Sequence, residues 1–288
     1  MDEPKHFAVG SVHKRVSTMN NYNINLSTAH KRTPILEWRK GASILKVSKE
    51  ENTEHRGGGK RGIVKGFSRA SRRRLMRIIA SVRRDAKLPL FVTLTYPNKY
   101  PEPKESKKHL KEFLRRMKRV FPTAGAIWKL EPQQRGAPHY HILVWGVKLE
   151  ELIAWAPNTW YKIAGGGDEN HLLWHLGLLG NQHCVNTVRS YKGVWSYASK
   201  YLGKTFEVAG WNEKEVGRYW GVVGAKNIPF GQAVYVMLCI AEAITIMRYQ
   251  RRYAHMRSRS YTSLTIFCDA DQWTKRLIIG LDRRLITT

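Results

Sequence analysis

The sequence predicts an α+β fold: a central antiparallel sheet of about five strands, with helices packed on one face. Three observations predict it. Short runs rich in β-branched and aromatic residues occupy 89–97, 126–131 and 139–145, and prolines bound the first of them. Two strongly basic stretches, 68–87 and 106–120, repeat apolar residues at three- and four-residue steps, the period of a helix. Between the second and third strands lies Arg135-Gly136-Ala137-Pro138, whose glycine and proline read as a hairpin turn.

Composition narrows the function. A chain of 288 residues holds one large or two modest domains and can bury a core. Its hydrophobic share of 42% is ordinary for a protein in water. Its formal net charge of +28 is not, and a surface of one sign attracts polyanions, chiefly nucleic acid or anionic membrane. The three cysteines, Cys184, Cys239 and Cys268, are far apart and form no CxxC pair. That excludes a disulfide framework and a cysteine zinc knuckle, and fits a reducing compartment. The chain opens Met1-Asp2-Glu3-Pro4 with no apolar stretch behind it, so no secretion signal is expected. The longest apolar run, 234–247, is interrupted by Glu242 and is too short to span a bilayer. Three regions are expected: a polar, partly irregular region at 1–55, the central domain at 56–230, and a helical and strand extension at 231–288.

Taken in order, residues 1–55 show little periodicity beyond a strand expected at 42–47. In 56–87 a glycine-rich basic loop precedes a helix from Ser68 onward. Leu75, Ile78, Ile79 and Val82 mark its buried face. Arg72, Arg73, Arg74 and Arg77 cover the others and suit a phosphate backbone, although a solvated helix face has the same pattern. In the strand Phe91-Val92-Thr93-Leu94-Thr95-Tyr96, Thr93 and Thr95 share one face. They are candidates for phosphate contact or plain strand residues. The helix at 106–120 carries the apolar stripe Leu110, Phe113, Leu114, Met117 and Val120 beneath a basic surface. Residues 147–190 bring Trp155, Trp160, Trp174 and the pair His171 and His175, which read as structural. Residues 191–205 read as a helix in which Tyr197 and Tyr201 fall one turn apart. A long helix is expected at about 231–257, a strand at 264–267 and a short helix near 270–277.

The chemistry concentrates at His139-Tyr140-His141. Residues two apart on a strand point the same way, so the two imidazoles share a face and Tyr140 takes the other. Adjacent imidazoles are a ready pair of metal ligands. Folding the turn returns Glu131 beside them as a candidate third ligand, an oxygen. A surface strand with two unrelated histidines satisfies the same spacing.

Three features then stand in order: the Thr-bearing strand, the His-hydrophobic-His strand with its upstream Glu131, and Tyr197-Ala198-Ser199-Lys200-Tyr201 with Lys204 beyond. This order resembles the HUH endonucleases, specifically the rolling-circle replication initiators of filamentous and small single-stranded DNA phages and related plasmids. The element Gly217-Arg218-Tyr219-Trp220-Gly221 is also similar to one found in the phage initiators. Conjugative relaxases place the tyrosine before the histidines; here it follows.

The resemblance implies a ferredoxin- or RRM-like sheet and an endonuclease and strand transferase. Tyr197 or Tyr201 is expected to attack a phosphodiester of single-stranded origin DNA. That leaves a 5′-phosphotyrosine and a free 3′-OH. Lys200 and Lys204 are expected to stabilise the developing charge. Glu131, His139 and His141 are expected to hold Mg²⁺ or Mn²⁺, which mixed nitrogen and oxygen ligands suit. Arg72, Arg73, Arg74, Arg77, Thr93, Thr95 and Arg135 are expected at DNA. The implied setting is the cytoplasm of a bacterial host, with no membrane partner. A host helicase and a DNA polymerase are the further expected partners, since no helicase domain of the phosphate-loop type is read.

Other readings compete. Residues 198–205 fit a relaxed phosphate-loop pattern, but Tyr201 and Leu202 fill the place of its glycines and no clear strand precedes them. A non-catalytic nucleic-acid-binding module accounts for the charge but not for the ordered motifs. A single-strand transposase shares the chemistry, and the long basic flanks favour a replication protein over it.

Overall fold

The computed structural model describes residues 16–17, 35–39, 42–46, 66–83, 85–180, 183–190, 211, 216–231, 234–237 and 263–266. The chain divides into two compact units, Met1–Gly59 with Phe230–Thr288, and Lys60–Pro229. It begins with strands β1 (Val16–Ser17), β2 (Ile35–Arg39) and β3 (Ala42–Lys46). Helix α1 (Arg69–Ala80), strand β4 (Leu90–Leu94) and helix α2 (Pro103–Val120) follow. The hairpin strands β5 (Gly125–Pro132) and β6 (Pro138–Trp145) come next, then helices α3 (Leu149–Trp160) and α4 (Glu169–His175). Strands β7 (Val185–Thr187), β8 (Trp220–Val223), β9 (Val234–Met237) and β10 (Ser263–Ile266) complete the described elements.

In the first unit the strand order is β1-β9-β2-β3-β10, antiparallel throughout. The strand expected at 42–47 forms as β3, and the one expected at 264–267 forms as β10, each within a residue or two. Residues 234–237 correct the expectation of a long helix beginning at Gly231: they are β9, paired with β1 on one side and β2 on the other. Val234-Tyr235-Val236 is a β-branched and aromatic run, and two neighbouring strands outweigh the apolar period that suggested a helix. The remainder of that expected helix, and the one near 270–277, lie outside the described residues.

The second unit holds the sheet that matters for function. Its order is β7-β4-β6-β5-β8, an open antiparallel sheet of five strands with helices, the α+β fold expected. The Thr-bearing strand β4 and the histidine strand β6 are central neighbours. One sheet face is apolar. Val92, Leu94, Ala126, Leu130, Tyr140, Ile142 and Val144 pack there with Leu110, Phe113 and Met117 of α2 and Leu152, Ala156 and Trp160 of α3. Fixed alternation on each strand then places Phe91, Thr93, Glu131, His139, His141 and Trp220 on the opposite face. Helix α1 meets that second face: Trp220 Nε1 donates to Ser71 Oγ at 2.9 Å.

Local chemistry starts and stops these elements. Ser68 caps α1 by accepting from Ser71 N at 3.2 Å. Pro103 opens α2, with Glu105 in its first turn and Lys118 and Arg119 in its last, the charge order that a helix dipole favours. The hairpin turns through Gly136 at φ 84°, a conformation that glycine adopts without strain. Its register pairs Pro132 with Pro138 and Glu131 with His139. Gly146 ends β6 at φ 77°, where a Cβ would stand 2.2 Å from the Thr123 carbonyl oxygen. Among the described residues no helix is long and apolar enough to cross a membrane.

Candidate active site

Register brings the site together. Across β5 and β6 the Cα partners are Glu131 with His139 and Lys129 with His141; across β4 and β6, Thr93 faces His141. The two imidazoles meet edge to face with ring centroids 4.3 Å apart. Phe91 stacks on His141 at 5.4 Å. His141 Nε2 lies 3.3 Å from Glu131 Oε2, and the Lys129 ammonium contacts Glu131 Oε1. Glu131 and Lys129 are each 5 % exposed, so this is a buried ion pair bordered by an imidazole.

Electrostatics sets the protonation of each donor. Burial pushes the Glu131 carboxyl up, but the His141 hydrogen bond and the Lys129 charge outweigh it and hold the group below its ordinary range. Burial, with His141 beside it, lowers His139 to about 3, so its imidazole is neutral at physiological pH and keeps a lone pair to offer. Its Nδ1 is buried without a hydrogen-bond partner. Two imidazoles and an ionised carboxylate on adjacent strands form a donor set that suits a divalent cation. Among the described residues no three His, Cys, Asp or Glu side chains already converge as a metal cluster. The Glu131 oxygens face Lys129 and His141 instead.

Tyr140 faces the other way. Its hydroxyl lies 2.7 Å from Ser106 Oγ, which itself donates to Pro103 O, and burial raises its pKa. It is a core residue and not a nucleophile.

The backbone of Thr95, just beyond β4, is held from three directions. Trp160 Nε1 donates to its carbonyl at 2.5 Å, His171 Nε2 meets the same oxygen at 3.0 Å, and its N–H donates to His175 Nε2 at 3.3 Å. His175 Nδ1 lies 2.8 Å from the His171 carbonyl, which fixes the tautomer with the proton on Nδ1. Both histidines are thus structural, as expected, and they fix the strand end beside the His139 position. His175 is 1 % exposed, and burial lowers it to about 4. In the unfolded chain it titrates near 6.5. Protons therefore favour the unfolded state below that value. Stability from this group is complete above about pH 6.5 and is lost as pH falls toward 4, by about 3 kcal/mol in all. Urea midpoints should fall across that window, and the fall should be shallower in His175→Gln.

The other expected site residues are placed as follows. Thr93 is half-buried and Thr95 buried, 7 % exposed. Arg73 and Arg74 are exposed on α1, whereas Arg72 and Arg77 are half-buried. Arg72 is close enough to Lys129 to depress its pKa further after burial. Arg135 donates to Pro97 O, Tyr96 O and Gln133 Oε1, so much of its guanidinium ties the hairpin turn to the end of β4. Tyr197, Lys200, Tyr201 and Lys204 lie outside the described residues. The next described residue after them, Trp211, donates from Nε1 to Gly136 O at 2.8 Å. The chain thus leaves the tyrosine motif at the turn that leads into His139.

Lys129 is the residue that sequence reasoning left unassigned. Its place on the Glu131 face was legible from alternation, but its burial was not. Burial depends on Phe67, whose ring centre is 5.2 Å from the ammonium, and on Trp220, its Cα partner in β8.

Residues 89–206 match a family model of replication-associated proteins, the family of the ORF2 and gene-2 replication proteins. The matched stretch contains β4, the β5–β6 hairpin and both tyrosines. No curated protein and no solved structure matches the chain.

Proposed function

We propose, from that likeness and the geometry of the histidine face, that the chain is a rolling-circle replication initiator that cuts and rejoins single-stranded DNA at an origin. The observation that carries the proposal is the meeting of Glu131, His139 and His141 on one sheet face, inside the segment similar to replication-associated proteins. The match to a replication-associated family favours an initiator over a transposase of the same chemistry.

In this reading Glu131, His139 and His141 hold a divalent cation, Mg²⁺ or Mn²⁺. When bound it neutralises and polarises the scissile phosphate. The phenol of Tyr197 or Tyr201 loses its proton and attacks phosphorus. A Tyr O–P bond forms and the P–O3′ bond breaks. The oxygen leaving as the 3′-OH primes a DNA polymerase, and the 5′-phosphotyrosine conserves the bond for rejoining. Lys200 and Lys204 stabilise the phenolate. Arg72, Arg73, Arg74 and Arg77 on α1 attract the phosphate backbone. Thr93 and Thr95 line the strand on which the phosphate rests. A host helicase opens the strands ahead.

The test uses the full chain, labelled single-stranded origin-bearing DNA and Mn²⁺, resolved on a denaturing gel. A protein-linked DNA band that disappears with EDTA is expected. Tight DNA binding without an adduct across many origin sequences would leave a non-catalytic binding module.

A further inference from the structure

We infer that Lys129 is the resident counter-cation of the histidine site and competes with the divalent ion for Glu131. The inference rests on the metal reading given above. Three observations carry it. Lys129 is 5 % exposed, yet it stands on the polar face in register with His141, not at a rim where its head could reach water. A buried ammonium persists when paired with an opposite charge, and Lys129 contacts Glu131 Oε1. The second carboxylate oxygen, Oε2, lies 3.3 Å from His141 Nε2, so both oxygens that a cation would need are engaged.

An ion bound between Glu131 and the imidazoles takes at least one of those oxygens. An ammonium and a divalent ion repel one another across a single carboxylate, so Lys129 withdraws from Oε1 as the ion arrives. Charge then explains why a lysine stands here at all. Without the ion, one ammonium balances one carboxylate. With the ion, the site carries two net positive charges, matching a phosphodiester together with an attacking phenolate. Lys129 is therefore a guard of the metal-free site and a further cation facing the reacting phosphate.

The experiment measures Mn²⁺ affinity of the full chain without DNA, by the electron paramagnetic resonance signal of free Mn²⁺. Lys129→Met keeps the length and removes the charge. It should bind Mn²⁺ about tenfold more tightly than the unmodified chain, because the unpaired carboxylate is left to the ion alone. Lys129→Arg keeps the charge and should stay within about twofold. Thermal melts guard against a folding artefact: Mn²⁺ should raise the Tm of Lys129→Met by more than it raises that of the unmodified chain. Unchanged or weaker binding in Lys129→Met, or no larger rise in Tm, overturns the competition while leaving the metal site standing. If neither protein binds Mn²⁺, the metal reading fails and this inference fails with it.

Discussion

Alanine at His139 or His141 is expected to slow adduct formation by roughly a thousandfold, the size of losing a Lewis acid worth several kcal/mol at the transition state. Affinity for single-stranded DNA should stay within about threefold, since charge spread over many lysines and arginines supplies most of it. The two imidazoles occupy the middle of the polar face, 4.3 Å apart, beside an ionised carboxylate. They are neutral-ligand chemistry in a chain whose attraction for phosphate comes from a net charge of +28. Adduct rates from denaturing gels, set beside fluorescence anisotropy on the same oligonucleotide, separate the two quantities. Loss of binding in step with loss of cleavage would make the histidines part of the DNA anchorage and remove them as metal ligands.

The second large effect concerns the nucleophile. Joint replacement of Tyr197 and Tyr201 by Phe is expected to abolish the covalent adduct, because no phenol in the motif is left to attack phosphorus. Each single replacement should retain adduct within about tenfold of the unmodified rate, as the helical reading puts both tyrosines on one face. Lys200 follows Tyr197, and Lys204 follows Tyr201, at the same offset. The core tyrosine serves as the contrast. Tyr140→Phe loses only a buried hydrogen bond to Ser106 and should leave the adduct in place. Mass spectrometry of the trypsin-digested adduct identifies the attached residue. If either single variant is as inactive as the double, the two tyrosines are not interchangeable.

Local signals made much of the second unit legible. The strands β4, β5 and β6 and the helices α1 and α2 each carry their own period. The Gly136 turn fixes the register that sets Glu131 opposite His139. Trp155 and Trp160 resolve an ambiguity that sequence left open between core and base stacking. Both pack against Phe113, and Trp160 is fully buried. The polar face was harder to read, because its details depend on elements remote in sequence. Nothing near Thr95 announces that His171 and His175 will grip its backbone, and nothing near Lys129 announces Phe67. The same reason hides the first unit. Strands of four or five residues such as β2 and β9 have no signature of their partner, and β9 even carries a helical apolar period.

The order in which the ribosome delivers these strands has its own consequence. Strands β2 and β3 emerge early, but their neighbours β9 and β10 are encoded after the whole second unit. At 5–20 residues per second, the roughly 190 residues from β3 to β9 take roughly 10–40 s to appear. Through that interval the early hairpin presents two open edges, a template for stray pairing. The histidine-bearing sheet, by contrast, is continuous in sequence and is synthesised in full before the first unit's sheet can close. The nascent chain thus carries its complete histidine sheet before it carries the strands that finish the other unit.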